Sequence, residues 1–313
     1  MFQLKLLEPF LEQQGFVMLD GALATELERH GADLKHELWS AKMLIEAPEM
    51  IRQVGQDYLE AGADIIATAT YQASFEGFEK AGISRGRASN LMQLSVDLAV
   101  LAREAFWSSY ESHLGRLRPL VAASIGPYGA CLADGGEYHG NYGLDKQALI
   151  KFHRPRMAEL ARSDADLLAF ETIPSKLEAE ALIELLAEFP QRKAWLSFSC
   201  KDEQHVCHGE RFAECAALAE TSSQIIAVGI NCTPPQYMVP LLERAQGISK
   251  PLIAYPNSGE EWVADENRWT GTACEVQAAT AWYDAGARVI GGCCRTRPDD
   301  IARMRVELFA HLE

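Results

Sequence analysis

The sequence predicts a single α/β domain, a (β/α)8 barrel of the TIM type that spans residues 1–313. Eight short apolar runs lack polar alternation, as expected of strands that are buried on both faces. They cover residues 16–20, 64–70, 120–125, 166–171, 194–199, 225–231, 251–255 and 288–292. Stretches of helical period lie between these runs, and such alternation indicates a parallel sheet. Eight strands in a chain of this length favour a closed barrel over the structural alternative, an open doubly wound sheet.

The predicted helices and loops agree with this architecture. The clearest amphipathic stretches are residues 48–60, 147–161, 176–188 and 274–284. Gly62 and Gly286 lie at helix-to-strand junctions, where a helix C-cap favours a left-handed residue. The segment of residues 126–142 is rich in Gly and Tyr and is longer than a minimal loop. We therefore expect this segment to cover the functional site.

The composition limits the classes of partner. Lys and Arg number 29 against 44 Asp and Glu, which gives a net charge of −15. This acidity argues against binding to nucleic acid or to an anionic membrane. No run of about 18 uncharged apolar residues is present, so no membrane span is expected. The N-terminus lacks the apolar stretch of a signal peptide. We therefore expect a cytoplasmic protein.

Polar side chains occur where the predicted strands end, which is the rim of a barrel that carries its chemistry. Asp20 ends the first strand, Thr68 lies near the end of the second, and Glu171 ends the fourth. Asn231 and Tyr255 end the sixth and seventh strands and are candidates for walls of the site. An isolated buried acid is costly, so Glu171 is expected to have a functional partner.

Three of the eight cysteines, Cys232, Cys293 and Cys294, lie on the same rim. Only the seventh strand separates the strands that precede them, so their thiols can meet. Adjacent residues of a strand point to opposite faces, so both neighbouring cysteines can reach one metal only if the chain turns. Gly291 and Gly292, directly before them, allow such a turn. Three thiolates leave one tetrahedral position open, which is typical of catalytic zinc rather than structural zinc.

Other interpretations of these residues stay open. A cysteine at a strand end is often only a small apolar side chain, and adjacent cysteines can form a redox pair. A structural zinc with a fourth ligand from elsewhere is a further alternative, and Asp20 is also a candidate helix cap. His139 and His153 are expected to be lid or surface residues. The remaining cysteines are expected to be structural, namely Cys131, Cys200, Cys207, Cys215 and Cys274.

Six motifs between about residue 16 and the C-terminus form a specific set. They are Leu19-Asp20-Gly21-Ala22, Thr68-Ala69-Thr70-Tyr71-Gln72-Ala73-Ser74, Gly126-Pro127-Tyr128-Gly129, Gly229-Ile230-Asn231-Cys232, Tyr255-Pro256-Asn257-Ser258-Gly259-Glu260 and Gly291-Gly292-Cys293-Cys294-Arg295. In these motifs the sequence resembles the homocysteine S-methyltransferases, most closely the bacterial enzymes that use S-methylmethionine.

The resemblance implies a role for each residue of the rim. The zinc ligands would be Cys232, Cys293 and Cys294, with the homocysteine sulfur as the fourth ligand. Asp20 and Glu171 would receive the amino group of homocysteine, and its carboxylate would be contacted by Gly21 and Thr68. No catalytic side chain beyond the Zn²⁺-activated substrate thiolate is implied. The long C-terminal arm of the betaine-dependent relatives is absent, so a monomer is expected.

The chemistry of the implied reaction fits these residue types. A free thiol has a pKa of roughly 8.5, and the thiolate is the nucleophile. Zinc favours the thiolate form, and three cysteine ligands keep the bound sulfur electron-rich. The donor would carry a sulfonium methyl group, with S-methylmethionine preferred and S-adenosylmethionine as the alternative. A sulfonium favours aromatic faces, and the candidates are Tyr71, Phe75, Tyr128, Tyr138 and Trp262, each of which could equally serve core or lid packing.

Two hypotheses from other classes compete with the methyltransferase. A non-catalytic zinc- or thiol-binding barrel would use the same cysteines but gives no reason for two acids on the rim. A thiol oxidoreductase would use Cys293 and Cys294 without a metal, and Cys232 would be dispensable.

Overall fold

The computed structural model describes residues 5–34, 39–109, 113–132, 135–263, 268–270 and 279–313. Eight parallel strands form one sheet, in the order β1-β8-β7-β6-β5-β4-β3-β2. A parallel bridge between Leu19 and Ile65 joins the two edge strands and closes the sheet. The predicted (β/α)8 barrel is confirmed. Its strands are β1 (Val17–Met18), β2 (Ile65–Ala67), β3 (Leu120–Ile125), β4 (Leu167–Ile173), β5 (Ala194–Phe198), β6 (Ile225–Asn231), β7 (Leu252–Tyr255) and β8 (Ala287–Ile290).

Helices surround the barrel, and several begin at a side-chain cap. Ser74, Asp145 and Ser175 each accept the N–H three residues later, which satisfies an amide that has no partner inside the helix. The α-helices of the described residues are α1 (Glu8–Gln14), α2 (Leu23–Arg29), α3 (Met43–Glu46), α4 (Pro48–Glu60), α5 (Phe75–Lys80), α6 (Arg85–Trp107), α7 (Lys146–Ala161), α8 (Lys176–Leu186), α9 (Phe212–Ala216), α10 (Met238–Arg244), α11 (Ala279–Asp284) and α12 (Pro298–Leu312).

The predicted boundaries agree with the structure at most elements. Helix α4 has the predicted bounds, and the predicted helix at 274–284 is seen as α11, with residues 271–278 outside the described part of the chain. Strand β2 is shorter than predicted and ends at Ala67, whose N–H donates to the Asp20 carboxylate at 2.7 Å. Strand β4 continues to Ile173, so Glu171 lies within the strand and not at its end. Gly62 and Gly286 have φ of 111° and 110°, as predicted for C-caps.

Apolar side chains fill two layers. Alternation along the strands sends Ile65 into the barrel and Ile66 towards the helices, and both are buried. Leu6, Leu7 and Phe10 from the N-terminal segment pack with the inner layer. The inner layer is therefore apolar at the N-terminal end of the strands, and the polar residues of the rim lie at the other end. No helix in the described ranges is long and apolar enough to cross a membrane.

Candidate metal and substrate site

The three rim cysteines lie together at the C-terminal end of the barrel. Cys232 follows β6 directly, and Cys293 and Cys294 lie in the turn after β8. Their Sγ atoms are all within 4.8 Å of one another, and the Sγ atoms of Cys232 and Cys294 are 3.5 Å apart. Tetrahedral zinc binds sulfur at about 2.3 Å, which places its sulfur ligands about 3.8 Å from each other. The thiols therefore have the spacing and the chemistry that one zinc ion requires.

The turn after β8 depends on glycine for space and not for a left-handed conformation. The positive φ of this turn belongs to Arg295, at 70°, while neither Gly291 nor Gly292 has a positive φ. A Cβ atom on Gly292 would lie 2.2 Å from the Oγ1 atom of Thr296. The N–H of Thr296 donates to the carbonyl oxygen of Cys293 at 3.0 Å and so closes the turn. The glycines thus let the backbone fold tightly enough to present both thiols.

The thiols share negative charge unevenly. The thiols of Cys293 and Cys294 donate towards Cys232, which holds the pKa of Cys232 well below its ordinary value. The same contacts raise the pKa of Cys293 and Cys294 well above it, and burial adds to the rise. Three buried thiols packed this closely resist losing all three protons, because the thiolate charges would repel one another. A divalent cation would supply the charge needed to hold all three as thiolates.

Two acids lie on the same rim without a basic partner. Asp20 Oδ2 accepts from Ala67, and the alternative role as a helix cap is not observed, since α2 has Ala22 at its N-cap. Glu171 accepts from the hydroxyl of Tyr255 at 3.1 Å and from the hydroxyl of Ser124. No lysine or arginine pairs with either acid among the described residues.

Burial governs the protonation of both acids. It raises the pKa of Asp20 to about 8, and the nearby charge of Glu171 adds to the rise. It raises the pKa of Glu171 to about 7, although hydrogen bonds from Ser124 and Tyr255 oppose the effect. Two sheltered acids with raised pKa values favour a cationic ligand, because an ammonium group between them would stabilise both carboxylates.

Gly21 and Thr68 lie beside these acids in constrained surroundings. A Cβ atom on Gly21 would lie 2.9 Å from the Tyr58 ring and hydroxyl, so only glycine fits there. Thr68 is buried, and its Oγ1 atom accepts from the N–H of Ser124 at 3.0 Å and lies 2.6 Å from the hydroxyl of Thr70. Their contact with a substrate carboxylate stays a prediction.

Asn231 and Tyr255 are buried supports of the site. The Asn231 amide accepts from the N–H of Thr172 at 2.7 Å and donates to its hydroxyl at 2.8 Å, and Ser197 also donates to it. Its Nδ2 atom also points towards Cys293, 3.9 Å from Sγ. These side chains link the acid of β4 to the cysteines.

The sequence did not single out Ser124, Thr172 and Ser197 as site residues. Ser197 interrupts the apolar run of β5, and that single polar residue in a buried strand was a usable signal. Thr172 has φ of 60°, which a threonine rarely adopts, and no sequence pattern indicated it.

The segment of residues 126–142 does lie over the thiols. It contains two short 3-10 turns, Gly129–Leu132 and Gly136–Tyr138, and residues 133–134 are outside the described ranges. The hydroxyl of Tyr138 is 3.5 Å from Cys232 Sγ. Burial raises the pKa of Tyr71 well above its ordinary value, and the negative charges of Glu137 and Cys232 contribute. Of the predicted donor-binding aromatics, Tyr138 therefore contacts a cysteine directly, and Tyr71 lies within range of the same thiol's charge.

Other predicted aromatic candidates serve packing. Tyr128 makes edge contacts with Tyr142 and Phe152, and Phe75 lies under the guanidinium of Arg85 at 4.2 Å. The side chain of Trp262 lies outside the described part of the chain.

One histidine prediction is wrong. His139 is exposed, as expected for a lid, but His153 is fully buried in α7 and hydrogen-bonded to Glu178. Its position fits the apolar spacing of α7, three residues after Ile150 and four before Met157.

Comparison with known proteins gives consistent matches. A family model described as homocysteine S-methyltransferase matches residues 17–308. Homocysteine S-methyltransferase YbgG of Bacillus subtilis is 50% identical over 299 residues, which cover 94% of this chain and 95% of that protein. The selenocysteine Se-methyltransferase of Brassica oleracea is 47% identical and covers 96% of this chain and 90% of that protein. The metallated form of the homocysteine methyltransferase MmuM from Escherichia coli has a TM-score of 0.85 and 44% identity, and the match covers 96% of this chain and 99% of that chain.

Proposed function

Since this chain belongs to the homocysteine S-methyltransferase family, we propose that it is a zinc-dependent enzyme that methylates the thiol of homocysteine to give methionine. The donor is a sulfonium compound, with S-methylmethionine preferred and S-adenosylmethionine second. The observation that carries the proposal is the group of three thiols within 4.8 Å of one another, on the same barrel rim as two unpaired acids.

Cys232, Cys293 and Cys294 are the residues that would hold the zinc ion. When bound, zinc lowers the pKa of a substrate thiol, so that the sulfur is a thiolate at neutral pH without a general base. The similar enzyme from Escherichia coli has a metallated form, which supports a metal-dependent reaction in this chain. Three thiolate ligands also add negative charge, which keeps a neighbouring sulfur nucleophilic.

The two acids orient the acceptor. Asp20 and Glu171 receive the ammonium group of homocysteine. Burial favours the neutral form of both acids, and the positive charge of the ammonium group stabilises their ionised form. Ser124 and Tyr255 fix the direction of the Glu171 carboxylate by donating to it. The N–H of Ala67 fixes Asp20 in the same way. With Gly21 and Thr68 at the carboxylate end, the amino acid is held so that its side-chain sulfur reaches the cysteines.

The methyl transfer is a single in-line displacement. A lone pair of the homocysteine thiolate forms the new S–CH3 bond while the donor S–CH3 bond breaks, and its electrons leave with the neutral thioether. With S-methylmethionine both products are methionine. Tyr71 and Tyr138 lie near the cysteines and offer aromatic faces to the sulfonium cation. No protein group exchanges a proton in this step, so positioning and charge supply the rate.

A non-catalytic zinc- or thiol-binding barrel is the alternative. It would need the three cysteines, but it does not explain why Asp20 and Glu171 lie on the same rim without a basic partner. Burying two carboxylates that have no cationic partner destabilises the fold, and the methyltransferase gives that arrangement a function.

The test is methyl transfer by the purified, reduced protein with its zinc content measured. The donor is S-methylmethionine with a ¹³C-labelled sulfonium methyl group, and L-homocysteine is the acceptor. We expect labelled methionine, loss of turnover with a chelator and its return with zinc. Zinc bound at one per chain with no transfer from S-methylmethionine or S-adenosylmethionine would overturn the proposal in favour of the non-catalytic barrel.

A further inference from the structure

A buried charged cluster lies beneath the loops that carry Tyr71 and Tyr138. It consists of His153 and Arg156 of α7 and Glu178 of α8, all at most 1% exposed, and we call it the anchoring cluster. Arg156 donates to Nδ1 of His153 at 2.9 Å, so the imidazole hydrogen lies on Nε2 and is donated to Glu178 at 2.8 Å. A neutral imidazole thus connects a cation to an anion, which compensates both buried charges.

The anchoring cluster holds the backbone of two site loops. The Arg156 guanidinium donates to the carbonyl oxygen of Gly126, and also lies 3.4 Å from that of Tyr71 and 3.5 Å from that of Ala73. Glu178 accepts from the N–H of Tyr128 at 2.6 Å. These contacts join the loop after β2 and the loop after β3 to the helix layer.

The contacts with Arg156 determine where the Tyr71 ring lies. The N–H of Gly126 donates to the carbonyl oxygen of Tyr71 at 3.2 Å. A Cβ atom on Gly126 would lie 2.6 Å from the Tyr71 ring, so the ring rests directly on the glycine backbone. Tyr71 also hydrogen-bonds to Thr172. The Thr172 hydroxyl accepts from Asn231 at 2.8 Å, and the same Asn231 Nδ2 atom lies 3.9 Å from Cys293 Sγ. A shift of Gly126 would therefore move the ring relative to the cysteines.

We propose that Arg156 is a positioning residue for the methyl donor, because it fixes Tyr71 beside the three cysteines and so sets the affinity for the sulfonium cation. This rests on the proposed function. Arg156 does not contact the groups that hold the acceptor acids, since Asp20 accepts from Ala67 and Glu171 accepts from Ser124 and Tyr255. Lysine cannot replace Arg156, because one ammonium group lacks the planar fork that reaches both loops and His153.

Arg192 provides a matched control. Its guanidinium also donates to three backbone carbonyl oxygens, those of Ala161 at 2.6 Å, Ser163 at 2.6 Å and Ala165 at 2.7 Å. These residues precede β4, at the end of the barrel opposite to the site. Arg192→Lys therefore removes the same kind of contact and tests for a general loss of stability.

The experiment compares Arg156→Lys and Arg192→Lys in the zinc-loaded enzyme. For Arg156→Lys we expect KM for S-methylmethionine to rise about tenfold, because a displaced positioning group weakens binding by such factors. The dissociation constant of homocysteine should stay at the wild-type value. Amide exchange of residues 70–75 should become faster. Arg192→Lys should change none of these three quantities. In a Tyr71→Ala background, Arg156→Lys should have no further effect on donor KM, since the two act as one unit.

Two results would overturn the proposal. One is an unchanged KM for S-methylmethionine in a folded Arg156→Lys enzyme. The other is a rise in the dissociation constant of homocysteine by the same factor as the rise in KM for S-methylmethionine. If Arg156→Lys does not fold, Glu178→Gln tests the same cluster with the side-chain volume preserved. If the wild-type enzyme transfers no methyl group, the proposed function fails, while amide exchange at 70–75 and the donor dissociation constant from calorimetry still decide the role of Arg156.

Discussion

The Sγ atoms of Cys232 and Cys294 lie 3.5 Å apart, although 62 positions separate them in the chain. The end of β7 joins the two segments through backbone hydrogen bonds. The carbonyl oxygen of Tyr255 accepts from the N–H of Cys232 at 3.2 Å, and the carbonyl oxygen of Pro256 accepts from the N–H of Cys293 at 2.7 Å. The thiol cluster is therefore a product of the closed barrel and not of a local loop motif.

Replacing one thiol should remove the metal and the activity together. We expect Cys294→Ser to fold but to lose most of its zinc, because a neutral hydroxyl is a poor substitute for a thiolate ligand. Metal analysis and the methyl-transfer assay measure the two losses. Cys215→Ala, at a buried thiol outside the cluster, should keep one zinc per chain. Full activity in a folded Cys294→Ser enzyme would show that this thiol is not a ligand.

Glu171→Gln should weaken the binding of homocysteine without affecting the zinc content. Removing a charged partner of an ammonium group costs about 1.5–3 kcal/mol, or roughly 10- to 100-fold in affinity. Calorimetric titration with homocysteine measures the change, and metal analysis checks the zinc. The exposed Glu188→Gln is the control, since its carboxylate pairs with Arg154 on the surface. Wild-type affinity in Glu171→Gln would remove Glu171 from the amino-group site.

Gly292→Ala should lower zinc affinity although no ligand is lost. The new Cβ atom would meet Thr296 Oγ1 at 2.2 Å, so the turn that carries Cys293 and Cys294 must shift. We expect a loss of at least about tenfold, measured by competition with a chromophoric chelator. Gly86→Ala is the control, because a Cβ there meets nothing within 4 Å. Equal zinc affinities in the two variants would contradict the role of Gly292.

The anchoring cluster should make stability depend on pH. Burial, with help from the charge of Arg156, lowers the pKa of His153 from 6.5 to about 4. As the pH falls, His153 is therefore protonated near pH 6.5 in the unfolded chain but only near pH 4 in the folded chain. The free energy of unfolding should fall over this window by up to roughly 3 kcal/mol from this group alone, and the term is fully present above pH 6.5.

His153→Asn isolates that term, since asparagine does not titrate and its Oδ1 atom can still accept from Arg156. Urea unfolding at several pH values should show the gap between wild type and variant shrinking from pH 7 to pH 4. A gap that is constant with pH would show that His153 titrates equally in both states.

The barrel and its rim could be predicted because buried parallel strands produce a recognisable pattern of apolar runs in the sequence. Apolar runs marked the strands, and the ends of these runs placed Asp20, Glu171 and the cysteines on one edge. Glu171 was located even though the strand runs two residues past it, since the register of β4 still brings it to the barrel mouth.

The supports of the site were harder to predict, because they depend on contacts between distant segments. His153 was predicted to be a lid or surface residue, although the apolar spacing of α7 places it on the buried face. Nothing in the sequence indicated that Glu178 would meet it 25 positions later. The role of Gly291 and Gly292 was predicted as conformational, whereas the structure shows a requirement for space. Such a requirement appears only when the opposing atoms are known.

The most direct test of the central claim is X-ray absorption at the zinc edge, on the reduced and zinc-loaded protein with and without homocysteine. We expect three sulfur ligands from Cys232, Cys293 and Cys294 in the free enzyme, and a fourth sulfur at saturating homocysteine. A sulfur count that stays the same when homocysteine binds would contradict activation of the substrate thiol by the metal.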